Sequence, residues 1–181
     1  MNTRPDARAG KCAAAACLLL CCVAFPAFTQ AQTCAPPANG DWKAWLDRQE
    51  QAGGHALKCH VGISANGLIG RLENRDGNKS GVCRPNGRQA SAWSDVKSLI
   101  DALKPALPAQ IDLAQDGDLQ LSGSAARSIG QIVRAYEGKP DKNRKACPGN
   151  ASYECEGTRD WTALVRVRDG QCFLLTAYPV P

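Results

Sequence analysis

Histidine is scarce in this sequence: its 181 residues include only two. The motifs of several common sites are missing as well. No Cys-x-x-Cys pair occurs, so the ligand spacing of structural zinc sites is absent. No Gly-x-Ser-x-Gly occurs, which excludes the nucleophile elbow of serine hydrolases. The segment around Asp112, Asp116 and Asp118 lacks the pattern of a calcium-binding loop, and the sequence contains neither internal repeats nor low-complexity segments.

The first 31 residues have the organisation of a secretory signal peptide. The basic start MNTRPDARAGK is followed by the apolar run CAAAACLLLCCVAFPAF and by small residues up to Ala31. This order predicts an export signal over residues 1–31, cleaved after Ala31. The alternative is an uncleaved membrane anchor, but the run is short for a spanning helix and Pro26 interrupts it. We therefore expect a secreted or periplasmic protein without a stable membrane span.

Removal of the signal leaves a linker over residues 32–40 and a domain over residues 41–181, which is long enough to form one compact core. Of the 22 Lys/Arg and 17 Asp/Glu residues, 19 and 16 remain, so the net charge falls from +5 to +3. A charge this small does not by itself indicate a nucleic-acid partner.

Cysteine is the informative residue type in the remaining chain. Six cysteines lie outside the signal, namely Cys34, Cys59, Cys83, Cys147, Cys155 and Cys172. An even number of cysteines in an exported chain favours disulfides, of which six residues form up to three. The sequence does not choose among the many possible connectivities, although Cys147 and Cys155 are spaced for a local bridge.

Helices are predicted in the first half of the domain. Asp41 is placed to cap a helix through WKAWLDRQEQA, which ends at a Gly-Gly pair. A short helix is predicted in HALKCHV, and Ser64 begins a third through SANGLIGRLEN. After a loop over residues 74–90, Ser94 is the predicted cap of a helix through DVKSLIDALK, whose apolar residues have helical spacing.

The second half has the alternation of β-strands. IDLAQDGDLQL predicts a hairpin around Asp116-Gly117, and IGQIVRAY predicts a strand. WTALVRVR, Asp169-Gly170 and QCFLLTAY form the clearest hairpin, because Asp-Gly favours a two-residue type I′ turn. Helices followed by hairpins predict an α+β fold in which N-terminal helices pack on an antiparallel β-sheet with a cleft between them.

The two-residue turn fixes the register of the last hairpin. Val165 is expected to oppose Leu174, and Ala163 is expected to oppose Thr176. Thr176 and Tyr178 then share a face with Val165, because strand side chains alternate. That face is either core or cleft, and periodicity does not decide between the two.

Both histidines lie in the decapeptide GGHALKCHVG, residues 53–62. Five residues apart on one helix, His55 and His60 would point about 140° away from each other. This spacing disfavours a metal site on one helix face. It also disfavours the action of both histidines on one phosphate from a single continuous helix, so one of them is expected to be structural.

In content and order, the segments GGHALKCHVG, LIGRL, SAWSD and LLTAYPVP resemble a bacterial toxin domain. This is the RNase A-like domain at the C-terminus of contact-dependent growth inhibition (CdiA) proteins, and the resemblance spans roughly residues 52–181. It implies an RNase A-like fold and metal-independent RNA cleavage, in which the ribose 2′-hydroxyl attacks the adjacent phosphate to give a 2′,3′-cyclic phosphate. It also implies RNA as substrate, no cofactor and a cognate immunity protein as partner, and we expect a monomer.

Carried over residue by residue, the resemblance places the catalytic histidine at His60, before Val-Gly, and the family's arginine at Arg71, in LIGRL. The threonine and tyrosine of the last strand correspond to Thr176 and Tyr178. Histidine exchanges protons near neutral pH, so His60 is expected to act as acid or base. Arg71 would stabilise the charge of the phosphorane, and the two hydroxyls would donate hydrogen bonds from a rigid strand.

The second proton-transfer group stays open among Tyr178, Lys58 and His55. Two features depart from the family, whose domain usually ends a much larger delivery protein and is not rich in cysteine. Two alternatives therefore remain: a catalytically inactive secreted module of the same fold that binds RNA or protein, and a scavenging nuclease. Basic loop residues are either additional phosphate contacts or solvated charges, and they are Arg75, Lys79, Arg84, Arg88, Lys139, Lys142, Arg144 and Lys145.

Overall fold

The computed structural model describes residues 34–38, 40–74, 83–85, 87–108, 111–114, 116–138 and 145–181. The predicted signal peptide with its cleavage site lies outside these residues, as do Arg75, Lys79, Lys139, Lys142 and Arg144 of the basic loops. The helices are α1 (Trp42–Gln51), α2 (Ala56–His60), α3 (Ala65–Leu72) and α4 (Val96–Leu103). The strands are β1 (Gln89–Trp93), β2 (Gly117–Ser124), β3 (Gly130–Ala135), β4 (Ala146–Cys147), β5 (Asn150–Thr158), β6 (Asp160–Arg168) and β7 (Gln171–Val180).

The strands form two antiparallel sheets, one with the order β1-β3-β5-β4 and the other with the order β2-β6-β7. Helices α1 and α4 share an apolar cluster with the second sheet, which includes Trp45, Leu103 and Val165. Helix α3 packs on the first sheet around a second cluster, which includes Leu68 and Val133. The combination of helices with antiparallel sheets confirms the predicted α+β class.

The helix starts confirm two of the predicted caps and correct a third. The side chains of Asp41 and Ser64 each accept a hydrogen bond from the backbone N–H three residues on, at 3.0 and 3.2 Å, and so begin α1 and α3. Helix α4 is capped by Asp95, so the prediction of Ser94 was wrong by one residue. The N–H of Ser94 donates to the carbonyl of Ile129 at 2.9 Å, which keeps the chain paired in an extended form up to that residue.

The predicted hairpin around Asp116-Gly117 was wrong. Strand β2 begins at Gly117 and pairs with β6, where Gly117 lies opposite Val167, and residues 111–114 contain no strand. Asp116 has a different role, because its Oδ1 accepts a hydrogen bond from the N–H of Asp169 at 2.9 Å. Its carboxylate therefore supports the turn between β6 and β7, which is far away in sequence.

Three strands were not predicted, namely β1, the two-residue strand β4, and β5. Strand β1 begins at Gln89, inside the segment 74–90 that composition assigned to a loop. Strand β5 has the polar sequence NASYECEGT, in which only Tyr153 and Thr158 are buried. These two residues are five apart, so β5 does not show the period of two that marks a half-buried strand.

The turn of the last hairpin confirms the prediction. Asp169 and Gly170 have φ values of 52° and 71°, and a type I′ turn requires positive φ at both central residues. The register that this turn sets is also confirmed over the first part of the hairpin, down to the pairing of Val165 with Leu174.

A β-bulge then changes the register. Thr176 pairs with Leu164, and Ala163 pairs with Ala177, so the predicted pairing of Ala163 with Thr176 was wrong. The extra residue on β7 is Leu175. Because paired residues share a face of the sheet, Thr176 leaves the core-facing side on which Val165 and Ala163 lie. The bulge thus decides the question that periodicity left open, in favour of a cleft.

All six cysteines outside the predicted signal are paired. The disulfides are Cys34–Cys172, Cys59–Cys83 and Cys147–Cys155, with Cα–Cα distances of 5.5, 5.2 and 4.7 Å. The last pair confirms the predicted local bridge. Three disulfides in a chain of this size are typical of proteins that work in an oxidising compartment, outside the cytosol. Within the described ranges, no helix combines the length and the apolar character needed to span a bilayer.

Candidate functional site

A cavity of about 330 Å³ brings most of the sequence-predicted site residues together. His55 and His60 line it from the two ends of α2, Arg71 lines it from α3, and Thr176 and Tyr178 line it from β7. None of the described residues that line this cavity carries a carboxylate, so its charged groups are all cationic. Such a surface favours an anionic ligand.

His60 is held at the end of α2 with one ring nitrogen engaged. Its Nδ1 lies 3.2 Å from the carbonyl oxygen of Ser91, which can only accept a hydrogen bond, so Nδ1 carries the proton. The basic nitrogen of the neutral ring is therefore Nε2. Burial lowers the pKa of His60 to about 4; the Ser91 carbonyl opposes this, while His55 and Arg71 add to it. At neutral pH the ring is uncharged and is able to accept a proton.

His55 faces the same cavity, contrary to the expectation from helical spacing. It precedes α2 as its N-cap residue with φ of −149°, so the angle between positions of one continuous helix does not apply to it. Its ring centroid lies 6.1 Å from that of His60. Burial lowers the pKa of His55, and the Glu50 carboxylate partly offsets this. Both histidines therefore line one cavity, and His55 stays a candidate for the second proton-transfer group.

Arg71 is tied to the end of α2. Its Nη1 donates a hydrogen bond to the carbonyl oxygen of Cys59, the residue before His60. The half-buried guanidinium is thereby fixed beside the imidazole, and its cationic charge contributes to the low pKa of His60. A guanidinium held in this way keeps its planar set of donors in a fixed orientation.

Thr176 and Tyr178 present their side chains from the part of β7 that follows the bulge. The ring of Tyr178 lies 5.2 Å from that of His60, with an interplanar angle of 34°. Thr176 is 5% exposed, and its Oγ1 has no hydrogen-bond partner among the residues that the structure describes. A buried hydroxyl without a partner costs about 1–3 kcal/mol, which a ligand atom in the cavity would recover.

The remaining wall of the cavity includes Arg84, one of the basic loop residues named from the sequence as a candidate phosphate contact, but its other residues were not predicted as site residues. It consists of Arg84 and Pro85, which follow Cys83 of the disulfide to Cys59, and of residues at the start of β1, including Gln89 and Ser91. Ser91 is the first residue of the SAWSD segment, which was the available signal for this wall. In the same segment, the Trp93 indole N–H donates to the carbonyl of Ala177 at 2.9 Å and holds β1 beside β7.

Lys58 does not join this group. It is exposed, it is not among the residues that line the cavity, and its backbone N–H donates to a carboxylate oxygen of Glu50 at 3.3 Å. A larger cavity of about 620 Å³ lies between α4 and β2 and is lined in part by Asp101, Arg127 and Trp161, but by none of the predicted site residues. Within the described part of the chain, no group of three or more His, Cys, Asp or Glu residues is arranged to hold a metal ion.

Comparison with known proteins gives little that bears on the site. No protein-family model matches the chain, and no curated protein matches it. A solved structure to which it is similar is a CdiA-CT/CdiI complex from Y. kristensenii 33638, with a TM-score of 0.47 and 20% sequence identity. The similarity covers 71% of this chain and 100% of that chain. A likeness this weak leaves the function to be inferred from the cavity itself.

Proposed function

We propose that this chain is a metal-independent endoribonuclease of RNase A-like architecture, exported from the cell that makes it. The observation that supports this proposal is the meeting of a neutral imidazole, a tethered guanidinium and an unpartnered hydroxyl in one cationic cavity. RNA is an anionic polymer with a nucleophile, the ribose 2′-hydroxyl, next to each phosphate. Cleavage of RNA by its own 2′-hydroxyl requires the site to transfer protons and to stabilise the negative charge that develops on the phosphate.

In the proposed reaction, Nε2 of His60 removes the proton from the 2′-hydroxyl. The bond between the 2′-oxygen and phosphorus forms, the bond between phosphorus and the 5′-oxygen breaks, and the products are a 2′,3′-cyclic phosphate and a 5′-hydroxyl. The hydrogen bond from Nδ1 to Ser91 orients the ring for this role. A folded-state pKa of about 4 keeps His60 in the form that accepts a proton across the neutral range.

The 5′-oxygen needs a proton as it leaves. Tyr178 and His55 are the cavity residues suited to donate it, since both rings lie close to that of His60. Lys58, the third sequence-based candidate, is exposed and lies outside the cavity lining. We assign the donor to Tyr178 or His55, and single Tyr178→Phe and His55→Ala variants distinguish them by which one loses the basic limb of the pH–rate profile.

Charge stabilisation falls to Arg71 and Thr176. The phosphorane carries one more negative charge than the ground-state phosphodiester, and a fixed cation beside it lowers the barrier. Arg71 is held in place before substrate arrives through its bond to the Cys59 carbonyl. The Thr176 hydroxyl, which has no hydrogen-bond partner among the described residues, would donate to a phosphate oxygen.

The physiological role follows from the same proposal. A ribonuclease that is folded by disulfides outside the cytosol acts on RNA of other cells or on free RNA, and we propose an antibacterial toxin with an immunity protein in the producer. Expression of residues 32–181 in a cytosol that maintains disulfides should stop growth, whereas a His60→Ala version should not. Normal growth with active enzyme would instead favour a scavenging nuclease.

The decisive experiment is cleavage of an RNA oligonucleotide in excess EDTA by the wild-type protein and by His60→Ala. We expect products that end in a 2′,3′-cyclic phosphate, seen by mass spectrometry, and a loss of about 10³-fold in rate in the variant. Lys104→Ala, which removes an exposed charge from the end of α4, serves as control and should retain the wild-type rate. A folded His60→Ala protein with undiminished cleavage would contradict the assignment, and binding without cleavage by the wild type would favour the inactive binding module.

A further inference from the structure

The bulge that brings Thr176 into the cavity is held from outside the sheet. Strand β7 is an edge strand, and at the bulge its free edge is covered by the end of α1 and the turn into α2. The N–H of Leu174 donates to Oε1 of Gln49 at 2.8 Å, and the carbonyl of Leu175 accepts from the N–H of His55 at 2.9 Å. The irregular part of β7 thus has its hydrogen-bond partners in α1 and the turn into α2.

Gln49 is buried at this contact between α1 and β7. It is 4% exposed, and its backbone carbonyl also accepts a hydrogen bond from the N–H of Gly54 at 2.9 Å. A Cβ atom at Gly54 would lie 2.4 Å from the carbonyl oxygen of Leu174 and 2.8 Å from that of Gln49. Only glycine allows the turn to come this close to β7. Gly54, which has no side chain, and the side chain of Gln49 therefore both allow the end of α1 to pack against the backbone of β7.

We infer that Gln49 is a positioning residue for the proposed active site, because its carboxamide holds the bulge that turns Thr176 and Tyr178 towards His60. It does not line the cavity, and it acts through the backbone of β7. The inference rests on the proposed function where it concerns turnover. It also has a purely structural consequence, since a bulge without its acceptor leaves a buried N–H unpaired, and the strand relaxes towards the regular register.

Gln49→Met tests this directly, because it keeps the length and helix propensity of the side chain and removes the acceptor. We expect kcat for RNA cleavage to fall between about tenfold and a hundredfold with KM nearly unchanged, as displaced catalytic groups do not weaken ground-state binding in proportion. The ring contact between His60 and Tyr178 should loosen, so the pKa of His60, measured by NMR titration, should rise towards its ordinary value.

Two variants separate positioning from stability. Gln49→Glu keeps an oxygen at the same reach and should retain kcat within about threefold. Leu103→Ala removes buried apolar contacts on α4, so it should lower the free energy of unfolding while kcat of the folded protein and the pKa of His60 stay at the wild-type values. If Gln49→Met does not fold, Gln49→Asn, which is shorter by one methylene, is expected to show the same loss of kcat in smaller degree.

The failure of this inference differs from the failure of the proposed function. If the wild type cleaves RNA and folded Gln49→Met retains its kcat and its His60 pKa, the positioning role is overturned. If the wild type does not cleave RNA, the ribonuclease proposal fails, and the amide of Leu174 becomes the readout. Faster hydrogen exchange of this amide in Gln49→Met, with a shifted His60 pKa, supports the positioning role, and unchanged values overturn it.

Discussion

The two halves of β7 differ in their register with β6 and in the surroundings of their side chains. From the turn to Leu174 the strand follows the register that Asp169-Gly170 sets, and its buried side chains enter the core shared with α1. Beyond Leu175 the register is shifted, and Thr176 and Tyr178 face a cavity instead. One strand therefore serves both stability and the proposed chemistry, and the change of role occurs at a single inserted residue.

Insertion of an alanine between Leu164 and Val165 removes this distinction and should have the largest effect. The inserted residue gives Leu175 a partner on β6, so the regular pairing continues and Thr176 moves to the side of Val165, inside the core. We expect RNA cleavage to fall by more than about 10³-fold, together with a lower thermal midpoint, because hydroxyls would replace apolar side chains in the core.

Leu175→Ala is the control for this insertion, since it changes the side chain of the bulged residue and keeps the residue count of both strands. It should retain most of the cleavage rate. If the insertion variant were folded and as active as Leu175→Ala, the bulge would not be the element that positions Thr176 and Tyr178.

Thr176→Val should separate activity from stability. Valine has nearly the shape of threonine, and the Thr176 hydroxyl has no partner among the described residues, so stability should be unchanged or raised by about 1 kcal/mol. The cleavage rate should fall about tenfold to a hundredfold if this hydroxyl binds the phosphorane. Urea denaturation and single-turnover cleavage measure the two quantities.

Thr162 provides the comparison. It is also a buried threonine, and it lies opposite Tyr178 on β6, but its Oγ1 donates to the carbonyl of Leu121 at 3.1 Å. Thr162→Val should therefore lose about 1 kcal/mol of stability and keep the cleavage rate. The opposite outcome, a stability loss at Thr176 and an activity loss at Thr162, would contradict the assignment of the unpartnered hydroxyl.

The pH dependence of stability tests the environment of His60. Its folded-state pKa of about 4 lies below the ordinary value of 6.5, so protons bind preferentially to the unfolded chain between these values. Stability is fully present above pH about 6.5 and is lost as the pH falls towards 4, by up to about 3 kcal/mol. The lowered pKa of His55 acts in the same direction.

Denaturation curves at pH 4.5 and 7.5 measure this dependence, and His60→Gln, which does not titrate, should show a smaller loss. The acidic limb of kcat/KM should likewise lie near pH 4, because the unprotonated ring is the reacting form. Equal pH dependence in the two proteins would show that His60 is not the group responsible.

Gly170→Ala should have the smallest effect and acts on the other half of the hairpin. Gly170 has φ of 71°, which an alanine adopts at a cost of about 1 kcal/mol. Because the site lies beyond the bulge, we expect a small decrease in the free energy of unfolding and an unchanged cleavage rate. A substantial loss of activity would mean that the turn controls the site across the bulge.

Helix caps and the tight turn could be predicted from the sequence, whereas the β-bulge could not. Asp41 and Ser64 cap helices through local contacts, and Asp169-Gly170 sets a local turn, so each follows from a short stretch of sequence. The bulge at Leu175 depends on Gln49, which is 126 positions earlier and looks like an ordinary helix residue. A contact between residues so far apart in sequence cannot be predicted from a local sequence pattern.

The predicted site depended on both kinds of information. The resemblance selected His60, Arg71, Thr176 and Tyr178, and the cavity does bring these four together. The resemblance did not explain how the fold brings these residues together. In a regular hairpin, the hydroxyls of Thr176 and Tyr178 would lie in the core. Helical spacing disfavoured His55 beside His60 because that geometry was applied to a residue just outside α2, although His55 was kept as a candidate for the second proton-transfer group.

The disulfide between Cys34 and Cys172 has a consequence for the order of assembly. It joins residues 138 positions apart, and the second partner is on the same strand as Thr176 and Tyr178. During synthesis from the N-terminus, His55, His60 and Arg71 are made long before Thr176, Tyr178 and Cys172, the partner of Cys34. The cationic pocket is therefore a late product of synthesis, and every chain that stops short of β7 is without it.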